Sequence, residues 1–276
     1  MAKLTRKLWV GIGAATIAGA SMTGSVVAQH GSHKQNAGPQ SPAPDGPATR
    51  TPAEGGEAYL TDGGPKDTRI RFYRDIELMR GHLLVGRQLI ELDLWDEALP
   101  HFLHPTEELY GLMEKYIKLH NIPPFDRDLQ ALAQTVKAKR KGAYEQAQKV
   151  VDRRLDAALA VAKKFMTPVR IFTVRAAIEV LHVAQSEYEA SVQDGKFVKP
   201  VEYQDSRGFV LQAERMFERS AAELARIDKD ALARIRATLA KLKTAWPAPM
   251  SPDKPVLDAG TISALISDIE LHISRY

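Results

Sequence analysis

The chain has 276 residues, no cysteine, and 38 basic against 34 acidic side chains. The lack of cysteine excludes disulfides, iron–sulfur clusters, thiolate-bound metals and covalently attached c-type haem. Any metal must therefore be bound by nitrogen and oxygen ligands. Three of the basic residues lie at the extreme N-terminus and the remainder is close to neutral, so neither a nucleic-acid surface nor a polybasic membrane patch is indicated.

The N-terminal segment has the pattern of a secretory signal peptide. A positively charged start, Lys3 to Lys7, precedes an apolar run to Ala20, and small residues then lead up to Ala28. The apolar run is shorter than the ~20 residues that span a bilayer. We therefore predict a signal peptide at 1–28 and a periplasmic protein whose mature chain has no transmembrane span. An uncleaved N-terminal anchor is the alternative.

The next segment, 29–65, is rich in Pro, Gly, Ala, Ser and Gln and has almost no large apolar residue. Such a segment buries too little surface to offset the entropy lost on ordering. We predict a disordered leader at 29–65, followed by a single helical domain at 66–276.

Apolar residues in this domain recur at three- and four-residue spacing, which is the period of an amphipathic α-helix, and strand-like alternation is nearly absent. We predict an all-α fold, an up-and-down bundle of about five to seven helices. In chain order, the predicted helices cover 67–94, 96–103, 105–120, 126–165, 168–193, 200–242 and 258–274. The predicted N-cap residues are Asp67 or Thr68, Asp126, and Asp258 or Thr261.

The two halves of the domain show a possible repeat of a helix pair. Aligning His82 with His182 also aligns Pro100 with Pro200. Each half then contains a helix with an inward-facing histidine, a break near a proline, and a helix whose start carries acids. These acids are Glu107 and Glu108 in the first half, and Glu202 and Asp205 in the second. If the pairs pack as pseudo-symmetric halves, both sets face one cavity.

Histidines and carboxylates are most densely grouped between residues 99 and 110. His101, His104, Glu107 and Glu108 supply imidazole and carboxylate groups, which are suitable ligands for a transition metal. The alternative for the two glutamates is stabilisation of a helix N-terminus. We expect Pro105 to force His104 out of the α region and to make it an N-cap at the junction of two helices.

Four further residues complete the predicted ligand set. His82 and His182 lie on apolar helices, where hydrogen-bonded core histidines are the alternative. Glu187 precedes a turn and Glu202 starts a helix, so structural roles are equally reasonable for both. The predicted metal ligands are therefore His82, His101, His104, Glu107, Glu108, His182, Glu187 and Glu202. Gly81 and Gly86 are expected to permit close helix packing, with a local π-bulge as the alternative.

Particular strings in the sequence resemble known families. The stretch 181–196, with its Glu187-Tyr188 pair and Asp-Gly turn, followed by Glu202-Tyr203, resembles the periplasmic helical region associated with Ftr-type iron permeases. The element from His104 to Glu107 also resembles the His-x-x-Glu element of imelysin-type periplasmic iron-uptake proteins, although there it lies inside a helix. These resemblances imply a role with iron. The membrane helices of the permeases are absent, so binding or delivery is implied rather than transport.

The predicted function is therefore an exported metal-binding protein for uptake or storage, with iron as the ligand ahead of copper or zinc. The predicted partner is an envelope metal permease or another periplasmic protein. We expect no enzymatic activity, because the sequence has no nucleophile elbow, Gly-rich phosphate loop or His-Glu-x-x-His motif. The alternatives are a metal-free structural or interaction module and an imelysin-like metallohydrolase that uses His101, His104 and Glu107.

Overall fold

The computed structural model of the protein describes residues 59–60 and 64–276. The predicted signal peptide at 1–28 lies outside the described residues, as does most of the predicted leader at 29–65. Both therefore stay predictions. Within the described part of the chain, no helix combines the length and the apolar character needed to cross a membrane.

The described residues form an all-α structure, which confirms the predicted fold class. The helices are α1 (Thr68–Glu91), α2 (Trp95–His104), a π-helical turn (Pro105–Tyr110), α3 (Gly111–Leu119), α4 (Asp126–Lys137), α5 (Lys141–Lys163), α6 (Val169–Ser191), α7 (Pro200–Ile227), α8 (Lys229–Leu242) and α9 (Ala259–Ile273). A 3-10 turn covers Lys243–Ala245. The only strands among these residues are β1 (Val192–Gln193) and β2 (Lys196–Phe197), which pair antiparallel.

Acidic N-caps begin several of these helices. The Asp67 carboxylate accepts a hydrogen bond from the Arg69 N–H at 2.9 Å, and Asp258 accepts one from the Thr261 N–H at the same distance. Each such cap stabilises its helix by about 1 kcal/mol. Two of the predicted capping sites are therefore confirmed. Asp126 is instead the first residue within α4 and does not act as the N-cap.

Two long predicted helices are each divided in the structure. The predicted helix 126–165 is interrupted where Lys139 adopts a left-handed backbone with φ of 53°. The predicted helix 200–242 is interrupted at Asp228, whose extended backbone ends α7 and whose side chain caps α8. Apolar residues keep the spacing of a helix across both interruptions. This spacing alone therefore does not predict where the helices end.

The long helices α1, α6 and α7 form the centre of the fold. Helix α7 packs along both α6 and α1, while α2 lies against α1 and α4. At the C-terminal end, α9 packs against α6 and α8. The core therefore joins the N-terminal helices to the C-terminal ones through a shared contact with α7.

Two glycines bring α1 and α7 unusually close. A Cβ atom on Gly208 would clash with the Gly81 carbonyl oxygen, and one on Gly81 would stand 2.6 Å from the Phe209 ring. A third glycine, Gly86, makes room for Phe102 of α2 in the same way, with a Cβ-to-ring distance of 2.6 Å. The predicted close packing at Gly81 and Gly86 is confirmed.

Replacing Gly208 with alanine is expected to lower the free energy of unfolding by about 1–3 kcal/mol, because the added methyl group overpacks the crossing. Urea denaturation measures this change. Gly142→Ala is the matched control, since nothing lies within 4 Å of a Cβ at that helical position. The control should be neutral or slightly stabilising. Similar losses for both variants would contradict the role of the crossing.

Candidate metal centre

Four side chains from three helices converge in the core. His82 comes from α1, His101 and His104 come from α2, and Asp205 comes from α7. One ligand atom of each lies within 4.8 Å of the corresponding atom of every other. Three imidazoles and a carboxylate at this spacing form a donor set for a single cation.

Each of the three imidazoles contacts the Asp205 carboxylate through its own Nδ1 atom. Asp205 Oδ1 lies 2.6 Å from His82 Nδ1 and 2.7 Å from His101 Nδ1. Its second oxygen, Oδ2, lies 3.0 Å from His104 Nδ1. All three Nδ1 atoms therefore face one small volume beside the carboxylate.

This cluster is almost entirely shielded from solvent. His101 is fully buried, and His82 and Asp205 are 2% and 3% exposed. The His104 side chain is 19% exposed and forms the open side of the cluster. Because burying charged and polar groups is costly unless they are paired, these residues depend on one another or on a bound cation.

The close helix crossing positions two of the four residues. His82 follows Gly81 directly on α1, and Asp205 precedes Gly208 by less than one turn on α7, so both side chains lie beside the backbone contact. The Phe209 ring contacts the His82 ring edge-on at 4.8 Å between centroids. The contact between Gly86 and Phe102 then holds α2 against α1, which brings His101 to the same place.

The helix continues through Pro105, and the expectation that it would interrupt the helix is wrong. His104 keeps helical backbone angles of φ −51° and ψ −41°, and its side chain does not cap the following helix. The reason is the π-helical turn Pro105–Tyr110, whose wider spiral carries the chain onward despite the missing proline N–H. His101 and His104 therefore lie one turn apart on the same helical face.

Gln204 determines which nitrogen of His101 is available as a ligand. The Gln204 Oε1 atom lies 2.8 Å from His101 Nε2, while its amide nitrogen points to Met250 Sδ at 3.6 Å. A carbonyl oxygen only accepts, so His101 Nε2 carries a hydrogen. His101 Nδ1 faces an Asp205 oxygen that also only accepts, at 2.7 Å. This is a hydrogen-bond distance, which leaves no room for a metal ion between the two atoms. An ion bound by both atoms would instead take the place of the proton that they share.

Protonation in the cluster is set by burial and by mutual attraction. Burial acts to raise the pKa of Asp205, but the charges of His82 and His101 and hydrogen bonds from His101 and His104 hold that pKa well below its usual range. Burial lowers the pKa of His82, and the attraction of Asp205 only partly offsets this. The ionised form of the Asp205 carboxylate is therefore favoured.

His104 behaves differently because it lies among three carboxylates. Burial acts to lower the pKa of His104, but its hydrogen bond to Asp205 and the charges of Asp205, Glu108 and Glu187 outweigh this effect and raise the pKa to about 9. In the metal-free protein, both ring nitrogens of His104 are therefore protonated at neutral pH, and the side chain is positively charged.

Of the five other predicted ligands, two lie near this centre and three do not. Glu108 Oε1 lies 3.5 Å from His104 Nδ1, and Glu187 is close enough to influence the pKa of His104. Both thus lie at the open side. The remaining three are not members of the cluster: Glu107 is exposed, Glu202 lies 3.8 Å from Lys199, and His182 lies 3.8 Å from Glu270.

The proposed symmetry between His82 and His182 does not extend to the centre. Only His82 contributes to the cluster, and Pro100 lies inside α2 whereas Pro200 opens α7. The two prolines therefore occupy different positions in their helices. The centre is built once, from residues of both halves.

Sequence reasoning missed two residues of the centre. In the sequence, Asp205 is an acid near a helix start and is not among the predicted ligands, and Gln204 has no predicted role. Both belong to a run of buried polar residues on α7 that also includes Ser206. Three consecutive polar residues, 204–206, followed two positions later by Gly208 on the predicted helix, are the signal available in the sequence.

Comparison with known families adds a second observation. Residues 169–276 match the family model of the iron permease-associated four-helix bundle domain. This segment holds α6, α7, α8 and α9, so its helices agree with that description. The match confirms the resemblance to the Ftr-associated region and links this part of the chain to iron permease systems. No curated protein and no solved structure matches the chain.

The match and the centre overlap in only one helix. Asp205 and Gln204 lie within the matched segment, on α7. The three histidines lie on α1 and α2, outside it. The centre therefore joins the four-helix segment to the helices that precede it.

Asp205→Asn is expected to lower the pKa of His104 from about 9 toward the ordinary value of 6.5, because it removes the nearest negative charge. The chemical shift of the His104 ring protons, followed against pH in metal-free protein, measures this pKa. Glu202→Gln is the control, since it removes a charge from the same helix outside the cluster. If both variants shifted the pKa equally, Asp205 would not be its principal cause.

Proposed function

We propose that the protein binds a transition metal ion, with iron as the physiological ion, through His82, His101, His104 and Asp205. The observation that carries this proposal is the convergence of three Nδ1 atoms on one buried carboxylate. The orientation of Gln204 supports it, because it leaves Nδ1 of His101 facing an acceptor. A metal ion would satisfy both groups at once.

The donor atoms suit ferrous iron. Imidazole and carboxylate together are the typical ligands of non-haem Fe(II), whereas a purely oxygen set would favour magnesium or calcium. Glu108, at 3.5 Å from His104 Nδ1, is placed to add a further oxygen ligand. Copper and zinc also bind imidazole, so they are the competing ions in any test.

The proposed role is binding and delivery rather than catalysis. The four clustered side chains are almost entirely shielded from solvent, with only His104 partly exposed, and the sequence contains none of the catalytic motifs sought above. Glu107, the third residue of the hydrolase alternative, is exposed and outside the cluster. We therefore propose no enzymatic activity.

The proposed setting is the cell envelope. The match of residues 169–276 supports a partnership with an iron permease system, and the predicted signal peptide supports export to the periplasm. At the open side of the centre, Glu108 and Glu187 would attract a cation toward His104. The protein would capture the ion there and pass it to the membrane permease.

Elemental analysis of protein purified from its native envelope tests metal binding directly. We expect about one ion per chain in the wild type, as for a single four-ligand site. The double variant His101→Ala/His104→Ala should lose the ion because half of its protein ligands are removed. His182→Ala is the matched control and should keep it, since His182 lies outside the cluster.

Two results would contradict the proposal. A metal-free wild type that also fails to bind added Fe(II), Cu(II) or Zn(II) would favour the metal-free interaction module. Equal metal content in the wild type and the double variant would place the ion elsewhere. Circular dichroism of each variant establishes that it is folded when its metal is measured.

The affinity for metal is expected to rise with pH up to about 9, because His104 must lose its proton before Nδ1 can bind an ion. For one released proton, the rise is roughly tenfold per pH unit in this range. Competition with a chelator of known affinity at several pH values measures it. An affinity that does not change with pH would argue against His104 as a ligand.

A further inference from the structure

A cavity lies between α1 and α3, apart from the metal centre. Its volume is about 390 Å³, and none of the four clustered residues lines it. Residues of both helices form its walls, and Leu60 contributes from the segment before α1. The cavity combines apolar surface with several charged groups.

The most unusual group in its wall is Arg74. This side chain is only 1% exposed, and its Nε atom donates to Asp75 at 2.8 Å. Its Nη1 atom is buried and has no hydrogen-bond partner among the described residues. A buried guanidinium nitrogen without an acceptor is costly, so this group requires an explanation.

Tyr116, on the facing helix α3, also has a buried polar atom without a hydrogen-bond partner among the described residues. This atom is the hydroxyl oxygen. Its ring stacks on Phe72 at 4.3 Å between centroids, which holds it in place beside the cavity. The walls thus include two buried donors that have no acceptor among the described residues.

The other lining residues define the kind of acceptor that would fit. Arg71 and Lys115 join Arg74 in the wall, against the single carboxylate of Asp75. An anion is therefore favoured over a neutral or positive group. The surfaces of Phe72, Met113 and the half-exposed Leu112 are apolar.

We propose that this cavity binds a small organic carboxylate with an apolar body. The carboxylate accepts hydrogen bonds from Arg74 Nη1 and the Tyr116 hydroxyl, and the apolar body lies against Phe72 and Met113. This binding site is separate from the metal centre and does not depend on the proposed function.

Titration of the full chain with hexanoate, followed by NMR, tests the proposal. The buffer contains a chelator, so that the carboxylate cannot bind through a metal ion. We expect saturable shifts for hexanoate around the cavity. Hexanol, which lacks the charge, and inorganic phosphate, which lacks the apolar body, should each bind at least about tenfold more weakly.

Three variants localise the binding. Tyr116→Phe removes one donor and should weaken hexanoate binding by up to about tenfold. Arg74→Lys keeps the charge but removes the guanidinium fork, and should weaken binding by at least about tenfold. Leu112→Trp should block the cavity from its half-exposed edge. Tyr144→Phe is the matched control, since it removes another buried hydroxyl without a hydrogen-bond partner, away from this cavity.

The possible results of these measurements either support the proposed carboxylate site or overturn it. Weaker binding in Tyr116→Phe and no binding in Leu112→Trp, with wild-type binding in Tyr144→Phe, would support the proposal even if Arg74→Lys failed to fold. Absence of saturable hexanoate binding would overturn it. So would hexanol or phosphate binding as tightly as hexanoate, or equal affinity in all the folded variants. His104→Ala should bind hexanoate normally, so loss of the metal site leaves this result unaffected.

Discussion

The close crossing of α1 and α7 is the constraint on which the metal centre depends. Gly81 and Gly208 meet backbone to backbone, with no space for a side chain on Gly208. His82 follows the first glycine and Asp205 lies just before the second, so the separation of the helices sets the distance between imidazole and carboxylate. Bulkier residues at the crossing would separate groups that now lie 2.6 Å apart.

Asp205 is the electrostatic centre of this arrangement. Burying a carboxylate costs several kcal/mol unless its oxygens are paired. Here both oxygens are paired with histidine nitrogens, and the pKa of Asp205 is held low although burial acts to raise it. The same carboxylate raises the pKa of His104, so the metal-free centre holds a proton that a metal ion would displace. A metal ion bound as proposed would take the place of that proton and keep the carboxylate paired.

The four clustered residues come both from the matched four-helix segment and from the helices that precede it. Residues 169–276 supply the carboxylate and the glutamine that orients His101, but none of the histidines in the cluster. Helices α1 and α2 supply all three imidazoles. The ligand set is complete only when both parts are packed together, so formation of the centre is coupled to folding.

The sequence by itself determined the helical class, because a helix is a local structure and its apolar period and its caps, such as Asp67 and Asp258, are visible in short windows. It also identified three of the four clustered residues by their type. Only the tertiary structure decided which polar groups meet, because Asp205 is more than a hundred residues from each of its histidines along the chain. The meeting of Gly81 with Gly208 likewise depends on packing between distant segments, which no local pattern encodes.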